Sequence, residues 1–142
     1  MHFKFALALL LMAGAFYVHQ IVNLHPFQNL YFNSLARKPL RYHYEIDYWG
    51  VTYRKGLEHI LANDPRPRIS VYFFGNAMQA RFANGSSDRL VYEKSSERAD
   101  YFLTTYRFHR DDYPGENEVY TLWSNGEKVL SVFRRDLRLQ SR

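Results

Sequence analysis

Apolar and polar positions divide this chain sharply near its start. Phe5 to Val18 carries no charge, and Phe3 to Val22 holds only Lys4, His19 and Gln20 as strongly polar residues. A helix of about twenty such residues is about 30 Å long, enough to cross the hydrocarbon core of a bilayer. A cleaved export signal has a similar outline. Lys4 supplies a positive head, Phe5–Met12 a short apolar core, and Ala13-Gly14-Ala15 a cleavage pattern. A retained span is favoured, because apolar residues continue past that cut through Phe16, Tyr17, Val18, Ile21 and Val22. On either reading the chain from about residue 24 lies outside the cytoplasm.

The pattern then changes character. Leu24-His25-Pro26-Phe27-Gln28-Asn29-Leu30-Tyr31-Phe32-Asn33 packs aromatics, amides and a His-Pro step into one stretch. It suits neither an amphipathic helix nor an alternating strand. Rings with one dry and one wet edge are favoured at the membrane–water boundary, so the stretch reads as a junction between a span and a folded domain. His25, Pro26, Gln28, Tyr31 and Asn33 are its marker residues.

Beyond the junction the periods are those of a small globular domain. His43-Tyr44-Glu45-Ile46-Asp47-Tyr48 alternates as a strand would, with Tyr44, Ile46 and Tyr48 on one face. Trp49-Gly50 breaks it. Tyr53, Leu57, Ile60 and Leu61 recur at helical spacing within Val51–Asn63, with Thr52 placed to cap and Asn63-Asp64-Pro65 to stop the helix. Gly56 weakens that helix slightly. Ile69–Phe74 reads as a buried strand, Ala77–Phe82 as a short helix after the Gly75-Asn76 turn, and Ala99–Tyr106 as a core strand. Val119–Trp123 and Val129–Phe133, joined through Asn125-Gly126, form a hairpin. The expected architecture is α/β: one N-terminal transmembrane helix (1–23), an interfacial junction (24–41), an extracytoplasmic mixed-sheet domain ending in a β-hairpin (42–135) and a basic tail (136–142).

Composition narrows the chemistry. The 142 residues suffice for one domain with a real core. No cysteine is present, which excludes a disulfide framework, a thiolate zinc site and a cysteine nucleophile. Net charge is +5, from scattered Arg and Lys, and aromatic content is 18%. No nucleic-acid motif accompanies the charge. Anionic headgroups or phosphates are the better-matched partners, alongside ordinary solvation of a basic surface. Gly-rich phosphate loops, Gly-x-Ser-x-Gly, His-Glu-x-x-His and EF-hand patterns are all absent. His43, Glu45 and Asp47 would share a strand face as metal ligands, but a solvated face explains them as well. His109 with Asp111 or Asp112 is a candidate acid–base group, and Asp111/Asp112 and Glu116/Glu118 are candidate carboxylate pairs, all in polar loops. Asn84-Gly85-Ser86 spells a glycosylation sequon. No cofactor site is read from the residues.

Several segments resemble one family. The His25-Pro26-Phe27-Gln28 and Tyr31-Phe32-Asn33 pattern is similar to the segment after the last membrane helix of bacterial GT-C fold glycosyltransferases. These are the dolichyl-phosphate-mannose protein mannosyltransferase-like enzymes of glycosyltransferase family 39. Glu45-Ile46-Asp47-Tyr48-Trp49-Gly50-Val51-Thr52-Tyr53-Arg54 resembles a second segment of that group, and Ala99–Arg107 and Glu118–Phe133 resemble later ones. The resemblance implies a periplasmic C-terminal domain on a single helix in a bacterial inner membrane. In the family, a polyprenyl-phosphate sugar donates to an acceptor, and the catalytic acid lies in an early loop between membrane helices. This chain has one apolar run, so that loop is missing and the chain alone is expected to be inactive. The implied role is that of a non-catalytic domain or subunit that packs with the transferase's membrane helices. Tyr48 and Trp49 would stack on a sugar, and Arg54 and Lys55 would meet phosphate. The alternative is an independent exported module that binds glycans or anionic envelope polymers.

Overall fold

The computed structural model describes residues 2–25, 27–30, 32, 35–75, 88–124 and 126–135. It comprises two compact units, one ending at Tyr31 and one beginning at Phe32. The first is helix α1 (His2–Leu24) with a short turn behind it. Phe3–Asn23 is long and apolar enough to cross a membrane, and 0% of its apolar window is buried inside the protein. A helix in a water-soluble core would bury at least one face. After α1 the chain makes a single 3₁₀ turn at Gln28–Leu30, where the Gln28 side-chain amide donates to His25 Nδ1 (3.0 Å). Pro26, Tyr31 and Asn33 of the junction lie outside the described residues, as do the expected short helix at Ala77–Phe82, the sequon and the basic tail.

The second unit is a mixed five-stranded sheet with one helix on one face. Its elements are α2 (Leu40–His43), α3 (Tyr53–Asn63), β1 (Ile69–Phe73), β2 (Leu90–Tyr92), β3 (Tyr101–Thr104), β4 (Glu118–Ser124) and β5 (Glu127–Arg134). The strand order is β2-β1-β3-β5-β4. β1 pairs in parallel with β2 and β3, whereas β5 runs antiparallel to β3 and β4. The expected hairpin is present as β4–β5. Its turn brings Gly126 to φ 77°, a left-handed value that glycine reaches without strain.

Alternation along β1 aims Ile69, Val71 and Phe73 at α3, where they join Tyr53, Leu57, Ile60, Leu103, Leu130 and Val132 in the core. Gly56 is the closest approach of α3 to the sheet. A Cβ there would lie 2.8 Å from Leu103 Cδ2 and 3.0 Å from Val132 Cγ2. The opposite face is aromatic. Phe102 stacks with Tyr72 (6.0 Å) and Phe133 (5.5 Å), and Tyr113 from the following loop covers Phe102 edge-on (5.1 Å). β3 is therefore buried on both faces, which explains its unbroken Tyr-Phe-Leu-Thr run.

The structure corrects one expectation. His43–Tyr48 is not a strand. His43 ends the helical turn α2, and Ile46–Trp49 form a turn. Ile46 and Asp47 are buried while Tyr44 and Tyr48 are exposed, so the alternation does not divide inside from outside. The cause is Asp47, whose backbone sits at φ 51° and whose carboxylate accepts from Val51 N (2.9 Å), Thr52 N (3.0 Å) and Thr52 Oγ1. Capping the approach to α3 outweighs a short strand period with no neighbouring strand to pair with. Thr52 consequently donates its hydroxyl to Asp47 and does not cap the helix itself.

Candidate functional site

One end of the sheet gathers the exposed aromatics. β1 runs out at Phe73 and β3 at Thr104, side by side and parallel. From β1 the chain goes on to β2 on one flank, and from β3 to the β4–β5 pair on the other. Where neighbouring parallel strands send their connections in opposite directions, a crevice opens at their carboxyl ends, and such crevices are where open α/β sheets hold ligands. The start of α3 belongs to the same end, since the Tyr53 hydroxyl donates to the Phe74 carbonyl (2.9 Å). Burial pushes the Tyr53 phenol well above its ordinary pKa, so it remains a donor.

Two loops meet there, and each turns on a left-handed residue. Asp47 (φ 51°) directly precedes Tyr48-Trp49, and Tyr106 (φ 62°) directly precedes Arg107-Phe108. Both are almost fully buried. Tyr106 is locked by a hydrogen bond between its hydroxyl and Ser131 Oγ (2.7 Å) and by its own N–H donating to Thr104 Oγ1 (3.2 Å). A bulky residue at positive φ is an outlier that persists only where its surroundings over-determine it. Exposed rings follow each of these residues. Tyr48, Trp49 and Phe108 are 48%, 63% and 58% exposed.

Arg107 joins the loops. Its guanidinium lies 4.0 Å from the Tyr48 ring centroid and 4.8 Å from that of Phe108. It also donates to Glu45 Oε2 (Nε, 3.2 Å) and to the Tyr48 carbonyl (3.3 Å). Trp49 stands edge-to-face against Tyr48 at 5.0 Å. Phe108 is seated on Gly75, where a Cβ would lie 2.5 Å from the Phe108 ring and φ is +109°. Only glycine satisfies both demands. The result is a platform of three partly exposed rings, with a guanidinium filling the gap between them instead of pointing into solvent.

Of the sequence-derived ligand residues, Tyr48 and Trp49 are on this platform. Arg54 and Lys55 lie on the first turns of α3, where both donate to Glu58 (each 2.9 Å). The Glu58 carboxyl is held below its usual range by Lys55 first and also by Arg54. One carboxylate thus serves two cations, and the Arg54 side chain stays 66% exposed. Arg107 and Phe108 were not singled out from the sequence. Only their aromatic flanks, Tyr106-Arg107-Phe108, hint at them, and nothing local shows that Arg107 reaches Glu45 and Tyr48 across 59 to 62 residues.

The other sequence candidates do not converge. Asp111 accepts from the Tyr42 hydroxyl (2.7 Å), Asp112 pairs with Arg41 (3.0 Å), and His109 Nδ1 meets the Asp111 backbone carbonyl (3.0 Å). The His109 ring packs on Tyr113 at 4.4 Å. Glu116 pairs with Arg135 and Glu118 with Lys128. Burial alone would raise the Glu118 carboxyl, but hydrogen bonds from Lys128, Ser131 and Thr121 outweigh it and hold it low. Glu45 faces Arg107 while Asp47 caps α3, so His43, Glu45 and Asp47 share no face. Among the described residues no three metal-ligating side chains come together. A half-buried network of Asp64, Arg66, Asp100, Ser70 and Tyr101 clamps the end of α3 to the beginnings of β1 and β3, remote in the strand direction from the platform. The chain matches no protein-family model, no curated protein and no solved structure.

Proposed function

We propose that this is a membrane-tethered, non-catalytic domain that offers the Tyr48–Trp49–Phe108 platform to the sugar of a polyprenyl-phosphate sugar or a related envelope glycan. One observation carries the reading. Two buried, left-handed, non-glycine residues in separate loops each direct exposed aromatics to the same end of the sheet. Backbone strain of this kind costs about 1–3 kcal/mol per residue and concentrates at ligand sites. Ring faces suit the C–H face of a sugar, and Arg107 holds the Tyr48 ring in place. The helix α1 supports a single-pass tether; the periplasmic side of a bacterial inner membrane is the side that the motif resemblance implies. The alliance with a GT-C glycosyltransferase, including packing against its membrane helices, rests on the motif resemblance alone.

The test uses full-length Trp123→Phe protein in nanodiscs, so that Trp49 is the single indole. A polyprenyl-phosphate hexose doped into the bilayer should shift Trp49 emission saturably. Polyprenyl phosphate without the sugar should bind at least about tenfold more weakly, a difference of about 1.4 kcal/mol. Equal responses to the two lipids would overturn the sugar assignment. An upstream reading frame encoding the missing membrane helices would support the transferase alliance.

A second reading is an independent exported glycan-binding module. It is favoured by the self-contained core of the unit that begins at Phe32. Binding of soluble glycan by a cleaved, monomeric mature form would establish it over the first.

A further inference from the structure

Among the described residues of the second unit, the large apolar side chains left exposed are unevenly spread. Leu35, Tyr42, Tyr44, Tyr48, Trp49 and Val51 fall on one loop segment, and Phe108 joins them through Arg107. Val119 and Trp123 are the exceptions, on the edge strand β4. The two loops are stitched together besides, because Arg110 donates to the Tyr42 carbonyl (3.1 Å) and Tyr42 to Asp111 (2.7 Å). The patch is therefore a preformed surface of Tyr, Trp and Phe rings interleaved with arginines.

The tether says what can cover it. α1 ends at Leu24 and the second unit begins at Phe32, so residues 25–31 are the whole connection. Seven residues span at most about 25 Å even when fully extended. The unit thus cannot leave the neighbourhood of the headgroups of any bilayer that α1 crosses. Tyr and Trp are the residues favoured at headgroup depth, and Arg110, exposed beside Tyr42, is a cation that anionic lipid attracts.

We infer that the loop surface formed by Tyr44, Tyr48, Trp49, Val51 and Phe108 docks on the anionic surface of the membrane that α1 spans. The inference rests on the membrane-tether reading. It deepens the proposed function, since docking sets the platform at the depth where a polyprenyl-phosphate sugar presents its polar head.

The two tryptophans make the experiment internal. Trp49 is on the docking surface and Trp123 is on β4, and both are exposed, so each can become Phe without disturbing the core. Full-length Trp123→Phe and Trp49→Phe proteins are reconstituted into phosphatidylglycerol vesicles, with or without bromine on the acyl chains near the glycerol. No sugar lipid is present. Aromatics docked at headgroup depth lie close to the glycerol, so bromine there should lower Trp49 emission about twofold. Trp123 lies at the same end of the sheet but on the edge strand, two strands from β3, and should be quenched less than Trp49. Flotation and intact mass report the tether, and thermal melts confirm that each variant is folded.

Protein that floats with α1 intact but shows equal quenching at both tryptophans, or none, overturns docking and leaves the tether and sugar readings standing. Protein that loses α1 or fails to float overturns the tether, and docking with it. In a Phe108→Asp background the Trp49 quenching should fall at least about twofold, because the charge replaces an apolar group on the docking surface.

Discussion

Replacing Asp47 tests the construction of the platform more sharply than replacing any exposed ring. The side chain is 2% exposed and accepts from Val51 N, Thr52 N and Thr52 Oγ1. Asp47→Ala removes the acceptor that organises the turn just ahead of α3, a bond set comparable to an N-terminal cap at about 0.5–2 kcal/mol. It also leaves the buried Thr52 N–H and hydroxyl unpaired, at about 1–3 kcal/mol for the groups stranded. The expected loss is about 3 kcal/mol. Asp47→Gly strands the same groups but relieves the left-handed backbone at φ 51°. That relief is about 1–2 kcal/mol, less about 0.4–1 for the freer unfolded chain. Glycine should therefore be less damaging than alanine by about 0.5–1 kcal/mol, the reverse of their order in a regular helix. Asp47→Asn keeps an acceptor and tolerates the left-handed region, so it should be the mildest of the three.

Urea unfolding of the full-length protein in detergent micelles measures the series. Trp49 lies two residues from the substitution and Trp123 on β4, so coincident transitions at the two indoles check two-state behaviour. With about 4–8 °C per kcal/mol, Asp47→Ala should lower Tm by about 12–24 °C. Asp47→Ala within about 0.5 kcal/mol of wild type would refute the capping account, because even the weakest cap loss reaches that value. Alanine more stable than glycine would refute the backbone-strain account.

Other consequences can be checked separately. Gly56→Ala should destabilise by about 1 kcal/mol in the same unfolding assay, because overpacking of about 1–3 kcal/mol exceeds a helix-propensity gain of about 1 kcal/mol; a stabilised variant would mean that Leu103, Leu130 and Val132 move aside freely. Asp64 is held well below the ordinary carboxylate range, by its hydrogen bonds to Arg66 first and against the opposing effect of burial. A depressed folded-state pKa contributes stability above the unfolded value near 3.9 and loses it as pH falls through the folded value. Acid unfolding should therefore steepen below about pH 4, and Asp64→Asn should be less stable at neutral pH with a flatter acid limb; parallel acid limbs would exclude Asp64 as the titrating group. Arg107→Lys keeps the charge but loses the fork to Glu45 and the Tyr48 carbonyl. Stability should fall by less than about 1 kcal/mol, as for exposed ion pairs, while the fluorescence anisotropy of Trp49 in the Trp123→Phe background drops. Unchanged anisotropy would remove Arg107 as the clamp.

The elements read correctly from the sequence are those whose signal is local and repeated. The apolar helix, α3 with its Asp64-Pro65 stop, the buried β1 and β3 and the β4–β5 hairpin all follow from period, punctuation and turn chemistry within one segment. The strand expected at His43–Tyr48 failed for the converse reason. Six residues of alternation are a weak signal, and one carboxylate capping α3 overrode it. Nothing local marks Asp47 as the acceptor for Val51 and Thr52, since the capping position next to the helix is Thr52. The pairing of Arg54 and Lys55 with Glu58 was not read from the sequence. At spacings of four and three residues that pairing was legible.

The sequence by itself determined a chain with one span-length apolar helix, an α/β period pattern and no recognisable catalytic motif. It also placed Tyr48 and Trp49 among the residues of interest. Only the tertiary structure decided that Gly56 is a packing contact and not a flaw in a helix, and that Asp47 and Tyr106 are bent into the left-handed region. It alone brings Phe108 over Gly75 and Arg107 onto Tyr48. The physical reason is range. Helical and strand periods act over a few residues, whereas the platform is assembled at the carboxyl ends of two parallel strands whose neighbourhood exists only after the sheet has formed.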